Sequence, residues 1–368
     1  MRVAIPFELC WHDVPGGTAR SAIDLAAALD RRDDVEVVGV AARHRAPPAP
    51  AWRPTVRVHQ LPLPRLLLYE TWHGLRRPRV EAATGPVDLL HVAGAAVAAS
   101  RAPMVVTVHD LAWRHHPDYF TRHGLRFFRR ALRLVVDEAA IVFVPSMATL
   151  DDCVDAGLDR GRLRHVPWGV DVPSDDPGIS TAEVRARFGI HGDYVVTVGT
   201  LEPRKNLRGL LRAWQVLDRD DVTLVVVGPE GWGDVVEPSA VPDRVVRTGF
   251  VDREVRDALY RGAVASVYPS VFEGFGLPVL ESMALGCPVV TSAGTSCEEL
   301  VSGGAGLAVD PHDPERIAAG LAELLDDAEL RARVVAAGFE RAAGHTWERA
   351  AQQVVEGYRD AVEAGVRP

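Results

Sequence analysis

The chain of 368 residues reads as an α/β protein made of two doubly wound parallel-sheet domains. Three features predict this. The length exceeds one typical domain and suits two. Short β-branched runs alternate with helical segments along nearly all of it. Most of these runs are apolar throughout instead of alternating, as in strands buried on both faces beneath covering helices.

In the first half, strands are expected at residues 2–6, 35–40, 56–59, 88–92, 104–109 and 141–144, with helices at 18–31, 124–138 and 147–156. The Pro-, Gly- and Asp-rich stretch PWGVDVPSDDPG at 167–178 reads as a linker. A second series follows, with strands at 194–198, 223–227, 245–248, 265–268 and 288–292 and helices at 207–217, 254–261, 277–285 and 314–325. Two further helices are expected at 328–342 and 347–362. The expected domains are thus 1–170 and 171–346, facing each other across a cleft. Ligands of such sheets gather at the carboxyl ends of the strands, so functional motifs should lie just after strands.

Composition narrows the function. Apolar residues make up 47% and charged residues 25%, the balance of a folded protein. A net charge of −9 argues against non-specific nucleic-acid binding. Cys10, Cys153, Cys287 and Cys297 show no zinc or redox spacing and read as free thiols of a reducing cytoplasm. Met1 runs straight into the first strand without the pattern of a signal peptide. No apolar stretch reaches the roughly 18 residues of a membrane helix. The basic and aromatic stretch 114–133 reads first as an amphipathic surface helix and leaves peripheral membrane contact open.

Four motifs stand where chemistry is expected. Gly16-Gly17 precedes a helix, where backbone can approach a ligand and the helix N-terminus attracts phosphate. Val108-His109-Asp110 closes a strand. Gly199-Thr200-Leu201-Glu202-Pro203-Arg204-Lys205-Asn206 places two cations between a strand and a helix, as a diphosphate would require. The most specific runs from Pro269 to Glu281, PSVFEGFGLPVLE, with Glu273 and Glu281 eight positions apart around a glycine-rich turn. Pro278 suits a first helical turn. The N–H groups of Phe275, Gly276 and Leu277 are then open to an anion or to sugar hydroxyls, while Glu281 can accept from a ribose diol.

Together the Glu-x7-Glu run, EPRKN, VHDL and VPWGVD segments resemble the retaining GT-B glycosyltransferases of family 4 over nearly the whole chain, most specifically in its second half. The resemblance implies a hexosyltransferase that takes a nucleotide-diphosphate sugar, of GDP-mannose or UDP-hexose type, in its second domain. The first domain would present a carbohydrate, lipid-linked or small-molecule acceptor. The last helix, ~347–368, would pack back on the first domain. By the same resemblance Arg204 and Lys205 bind the diphosphate and Glu281 the ribose. Glu273, with the backbone of Phe275, Gly276 and Leu277, holds the transferred sugar. His109 lies near the reacting carbon, and Gly16-Gly17 near the phosphates. No cofactor and no metal is expected, because Arg204 and Lys205 supply the charge. The one Asp-x-Asp triplet, Asp218-Arg219-Asp220, reads as a solvated turn. Two residues depart from or stand out in the pattern: Trp168 replaces a frequent Asn, and Cys297 lies in a turn near the expected base. Two other readings share the fold, a sugar-nucleotide epimerase or hydrolase and a non-catalytic nucleotide-sugar-binding protein. Retention of His109, Arg204, Lys205, Glu273 and Glu281 together argues against the latter. Removal of Glu273 is expected to lower turnover and to spare nucleotide affinity.

Overall fold

The computed structural model describes residues 1–171, 178–231 and 244–366, so residues 172–177 of the expected linker and the end of the expected last helix lie outside the described residues. The chain forms two compact units. Met1–Gly169 together with the C-terminal helix make the first, and Val170–Thr346 the second.

The first unit holds a seven-stranded parallel sheet of order β3-β2-β1-β4-β5-β6-β7. Its strands are β1 (Arg2–Pro6), β2 (Glu36–Ala41), β3 (Val58–Gln60), β4 (Leu89–Val92), β5 (Met104–Thr107), β6 (Ala139–Val144) and β7 (Leu163–His165). Helices α1 (Gly16–Asp30), α2 (Arg65–Leu75), α3 (Glu81–Thr84), α4 (Ala112–His115), α5 (Arg122–Glu138) and α6 (Met147–Asp155) connect them. The β4, β5 and β6 interiors are buried almost without interruption, as strands covered on both faces must be. Sequence reading misses α2, α3, α4 and β7 here, and in the second unit the helices Thr181–Phe188 and Ser296–Val301 and the strand Leu307–Val309. Three leucines of α2, Leu66, Leu67 and Leu75, are exposed, so it lacks a clean apolar stripe, and Pro62 and Pro64 precede it. β7 has only three residues, two of them Arg164 and His165.

The second unit repeats the scheme with six parallel strands in the order β10-β9-β8-β11-β12-β13. They are β8 (Asp193–Val198), β9 (Val222–Val227), β10 (Val245–Gly249), β11 (Ala265–Tyr268), β12 (Val289–Ser292) and β13 (Leu307–Val309). Helix α7 (Thr181–Phe188) opens with a capping box between Ser180 and Glu183. Then come α8 (Leu207–Leu217), α9 (Arg253–Gly262), α10 (Leu277–Ala284), α11 (Ser296–Val301), α12 (Pro314–Asp326) and α13 (Ala328–Ala343). Side chains of Asn206, Thr295, Asp313 and Asp327 cap α8, α11, α12 and α13. By contrast, α1 and α10 open without a side-chain cap.

The last helix, α14 (Trp347–Val366), belongs to the first unit, where it packs on α1 and β6. Tyr358 is fully buried and its hydroxyl meets His91 Nδ1 at 2.7 Å, while Thr107 Oγ1 lies 2.8 Å from His91 Nε2. Burial lowers the His91 pKa to about 3, so the ring stays neutral within this network. A Cβ on Gly357 would stand 2.6 Å from the Phe143 ring, closer than packing allows, so a glycine lets α14 lie against β6. Replacing Gly357 by Val should overpack this contact and cost about 1–3 kcal/mol of stability. An unchanged urea midpoint would show that the contact does not hold α14 in place.

Candidate functional site

In a doubly wound sheet the strand order reverses at a switch point, and loops leaving the two strands there diverge to open a crevice. In the second unit the switch lies between β8 and β11. Both of the most specific sequence motifs leave the carboxyl ends of these two strands. The 199–206 segment follows β8, and the run that begins at Pro269 follows β11. A backbone bond from Val271 N to Arg204 O, 2.8 Å, ties the two loops together.

Arg204 and Lys205 sit on a short 3-10 turn, Pro203–Lys205, before α8. They are not unbalanced cations awaiting an anion, as the sequence suggests. Arg204 Nε lies 2.7 Å from Glu202 Oε1 and its Nη1 2.9 Å from Glu273 Oε2. Arg204 Nη1 also donates to Phe272 O at 3.2 Å. Lys205 Nζ donates to Glu273 Oε1 at 2.5 Å and to the Tyr268 hydroxyl, which in turn donates to the same Glu273 oxygen at 3.0 Å. The ammonium also stands 4.9 Å from the Tyr268 ring centroid. Two carboxylates therefore balance two cations.

Glu273 is 8% exposed and Glu202 2%. Burial acts to raise the Glu273 carboxyl, but the Arg204 and Lys205 charges outweigh it and hold the pKa at about 2. Glu273 is thus ionised at every physiological pH. It can accept hydrogen bonds and stabilise charge, and it is poorly suited to exchanging protons near neutrality.

Behind Glu273 the chain turns into α10 through Gly276. Its φ of +103° favours glycine, and a Cβ there would lie 2.7 Å from Cys297 Sγ. Cys297 therefore packs beneath the turn, and burial pushes its thiol up to about 12. The N–H groups of Phe275, Gly276 and Leu277 donate no hydrogen bond among the described residues. With no side-chain cap on α10, they form a cluster of donors beside Glu273. Phe275 lies against His345, 6.2 Å between ring centroids. One turn into α10, Glu281 Oε1 meets Arg256 Nη1 of α9 at 2.6 Å, which occupies part of its acceptor capacity.

The other predicted residues, Gly16, Gly17 and His109, belong to the first unit. Gly16 and Gly17 do not directly follow β1. A 3-10 turn, Glu8–Trp11, intervenes, and the two glycines are the first residues of α1. Gly16 has φ +70°, and no atom lies within 4 Å of a Cβ built on Gly17, so packing does not demand a glycine there and the helix terminus is accessible. His109 lies two residues beyond the end of β5. Its Nε2 faces Ala93 O at 3.0 Å, in the loop after β4, which places the ring proton on Nε2. Burial lowers its pKa, against the Ala93 bond and Asp110, so the ring is neutral at pH 7. The His109 ring packs against Trp168, 5.8 Å between centroids, and Trp168 against Trp347 of α14 at 5.9 Å. Trp168, read from sequence as part of a linker, is 3% exposed and walls this region.

Sequence reasoning misses Glu202, Tyr268, Arg256 and this use of Trp168. Glu202 lies inside the segment quoted for its cations, so its charge was the available signal. Arg256 and Tyr268 have none. The Asp218-Arg219-Asp220 triplet lies between α8 and β9, at the amino end of the strands, where Arg219 is held by Asp221 and Asp326 at 2.7 Å each. Among the described residues no helix is long and apolar enough to cross a membrane, and all four cysteines are buried and unpaired.

Two doubly wound parallel-sheet units in one chain make a GT-B architecture, and solved structures share it. Anabaena HepE in complex with UDP and glucose aligns with a TM-score of 0.74 at 20% identity, over 97% of this chain and 98% of that one. Sucrose-phosphate synthase from Thermosynechococcus elongatus aligns at 0.78 and 23% identity, over 99% and 100%. Residues 182–341 match the family of glycosyl transferases group 1, and residues 15–174 match Glycosyltransferase Family 4. O-antigen chain mannosyltransferase B of Escherichia coli is 32% identical over 69% of this chain and 70% of its own. A D-inositol 3-phosphate glycosyltransferase of Corynebacterium efficiens is 33% identical over 72% and 67%. The chain belongs to the group 1 glycosyltransferases and is a transferase of that family.

Proposed function

We propose that the chain moves a hexose from a nucleoside-diphosphate sugar to a hydroxyl acceptor with retention of anomeric configuration, and that it needs no metal ion. The observation that carries this reading is the group at the β8–β11 switch point. There, two cations meet an ionised glutamate, and the chain just after that glutamate carries three backbone N–H groups that donate no hydrogen bond among the described residues.

The charges suit such a donor. A diphosphate offers more oxygens and more charge than Glu273, so it competes with Glu273 for the donors of Arg204 and Lys205 where they stand. As the glycosidic bond breaks, negative charge grows on the β-phosphate, and fixed cations at that place lower the barrier. Glu273, released in part from its cations, turns acceptor sites to the sugar hydroxyls. The donors at Phe275, Gly276 and Leu277 meet phosphate or sugar oxygens, and Glu281 takes the ribose diol. The relatives support a mannosyl or glucosyl donor, since one is a mannosyltransferase and a structural neighbour holds UDP and glucose. The acceptor is a glycan, a lipid-linked sugar or a small molecule.

The test is thermal unfolding against UDP, GDP, ADP, CDP and dTDP, with and without EDTA. One diphosphate should raise the midpoint by several degrees, since ligand at about 100 times Kd adds about 2.7 kcal/mol. EDTA should leave the shift unchanged. No shift with any diphosphate would sink the donor assignment, and a shift abolished by EDTA would sink the metal-free one.

A further inference from the structure

A cavity of about 430 Å³ in the first unit lies outside every residue assigned above, lined by Trp113, Arg114, Pro117, Arg129, Leu132 and Arg133. Helix α4 and the 3-10 turn Pro117–Tyr119 form one wall, and α5 forms the other. Three arginines thus line one cavity together with a tryptophan, whose ring is stacked on Phe128, and a leucine.

The arginines are not balanced by the protein. Among the described residues none of Arg114, Arg129 and Arg133 forms an ion pair, and Arg114 makes one long bond, 3.4 Å, to Asp155 O. Acidic partners do exist nearby and serve others. Arg130, on the same helix, is bound to Glu70 at 2.8 Å, and Arg76 to Glu138 at 2.5 Å. Residues 114–133 carry six arginines and a single acid in a chain whose net charge is −9. Along α5, Arg122, Arg126, Arg129 and Arg133 recur at helical spacing on one exposed face, a stripe about 16 Å long. Ala131 and Val135 face the core on the other side. The cavity lies where this stripe meets Arg114.

Three unpaired guanidiniums suit a group with several charged oxygens better than a single carboxylate, because each arginine presents a fork of donors. Trp113, 9% exposed, and Leu132 offer apolar surface beside it. We propose that this cavity binds a phosphate-bearing group whose attached hydrocarbon lies against Trp113 and Leu132. The phosphate of a lipid headgroup and that of a soluble phosphorylated molecule would meet the same three arginines. All six lining residues belong to the first unit.

The test uses the full chain and two double variants, Arg129→Ala/Arg133→Ala in the cavity and Arg122→Ala/Arg126→Ala along the stripe beyond it. Binding is measured to inorganic phosphate and to phosphatidylcholine vesicles with and without phosphatidylglycerol. The cavity variant should lose about tenfold or more in affinity, the stripe variant clearly less, with both keeping the thermal midpoint of the parent. A loss confined to phosphatidylglycerol vesicles supports the site with a lipid headgroup as its source. A loss that includes inorganic phosphate supports it with phosphate itself as sufficient. Equal losses in the two variants would reduce the effect to diffuse charge and overturn the cavity site. Failure of the parent to bind either probe would overturn it as well. Neither result touches the nucleotide panel above, which reads the second unit.

Discussion

Lys205→Ala should slow turnover by about 100-fold and weaken nucleoside-diphosphate binding by about tenfold. The ammonium is held from two sides, by Glu273 and by the Tyr268 hydroxyl, so its position is set before a ligand arrives. Such preorganised charge is worth most where phosphate charge develops, which is why the loss in turnover exceeds the loss in binding. Lys205→Arg should recover little. A planar fork cannot occupy the point between a carboxylate oxygen and a phenol that an ammonium fills. Calorimetry with the diphosphate and steady-state rates with a donor sugar measure both effects. Unchanged diphosphate affinity in Lys205→Ala would remove Lys205 from the site.

How far the site is legible in sequence follows from the range of its contacts. The α10 entry is readable because its signals are local: Gly276 for a positive φ, Pro278 for a first turn and glutamates on either side. The parallel sheets are readable for the same reason, since most of their buried strands are nearly uninterrupted apolar runs. The charge balance is not. Glu273 reaches Arg204 and Lys205 across 68–69 positions, and nothing in either segment states that the other will neutralise it. Arg256 meets Glu281 across 25 positions with no shared pattern. Short elements escape for a different reason. The three-residue β7 carries polar residues at an edge, and α2 exposes leucines, so neither satisfies its own period. The packing of α14 depends on Gly357 and Tyr358, and their fit to Phe143 and His91 exists only once the sheet has formed.

The neutral network also alters what removal of Glu273 should do. Sequence alone places this side chain beside the sugar and leaves nucleotide affinity untouched. In the structure Glu273 restrains both Arg204 and Lys205, so Glu273→Gln leaves them with one carboxylate, Glu202, in place of two. Turnover should fall by about 100-fold or more, while diphosphate affinity rises severalfold because the site gains net positive charge. Stability should move the other way. Breaking a buried ion pair on one side costs about 3–5 kcal/mol, and two cations depend on this carboxylate. The pH dependence separates this cause from a packing defect. The folded pKa of about 2 lies below the ordinary value of 4.5, so the carboxylate stabilises the fold fully above 4.5. That contribution is lost as pH falls from about 4.5 toward 2. Glu273→Gln has no such group to protonate. Its urea midpoint should lie well below that of the parent at pH 7, and the gap should narrow steadily as pH falls through that window. A gap that stays constant with pH would mean that Glu273 contributes shape and not charge, and a weaker diphosphate affinity in the variant would mean that it orders the cations more than it competes for them.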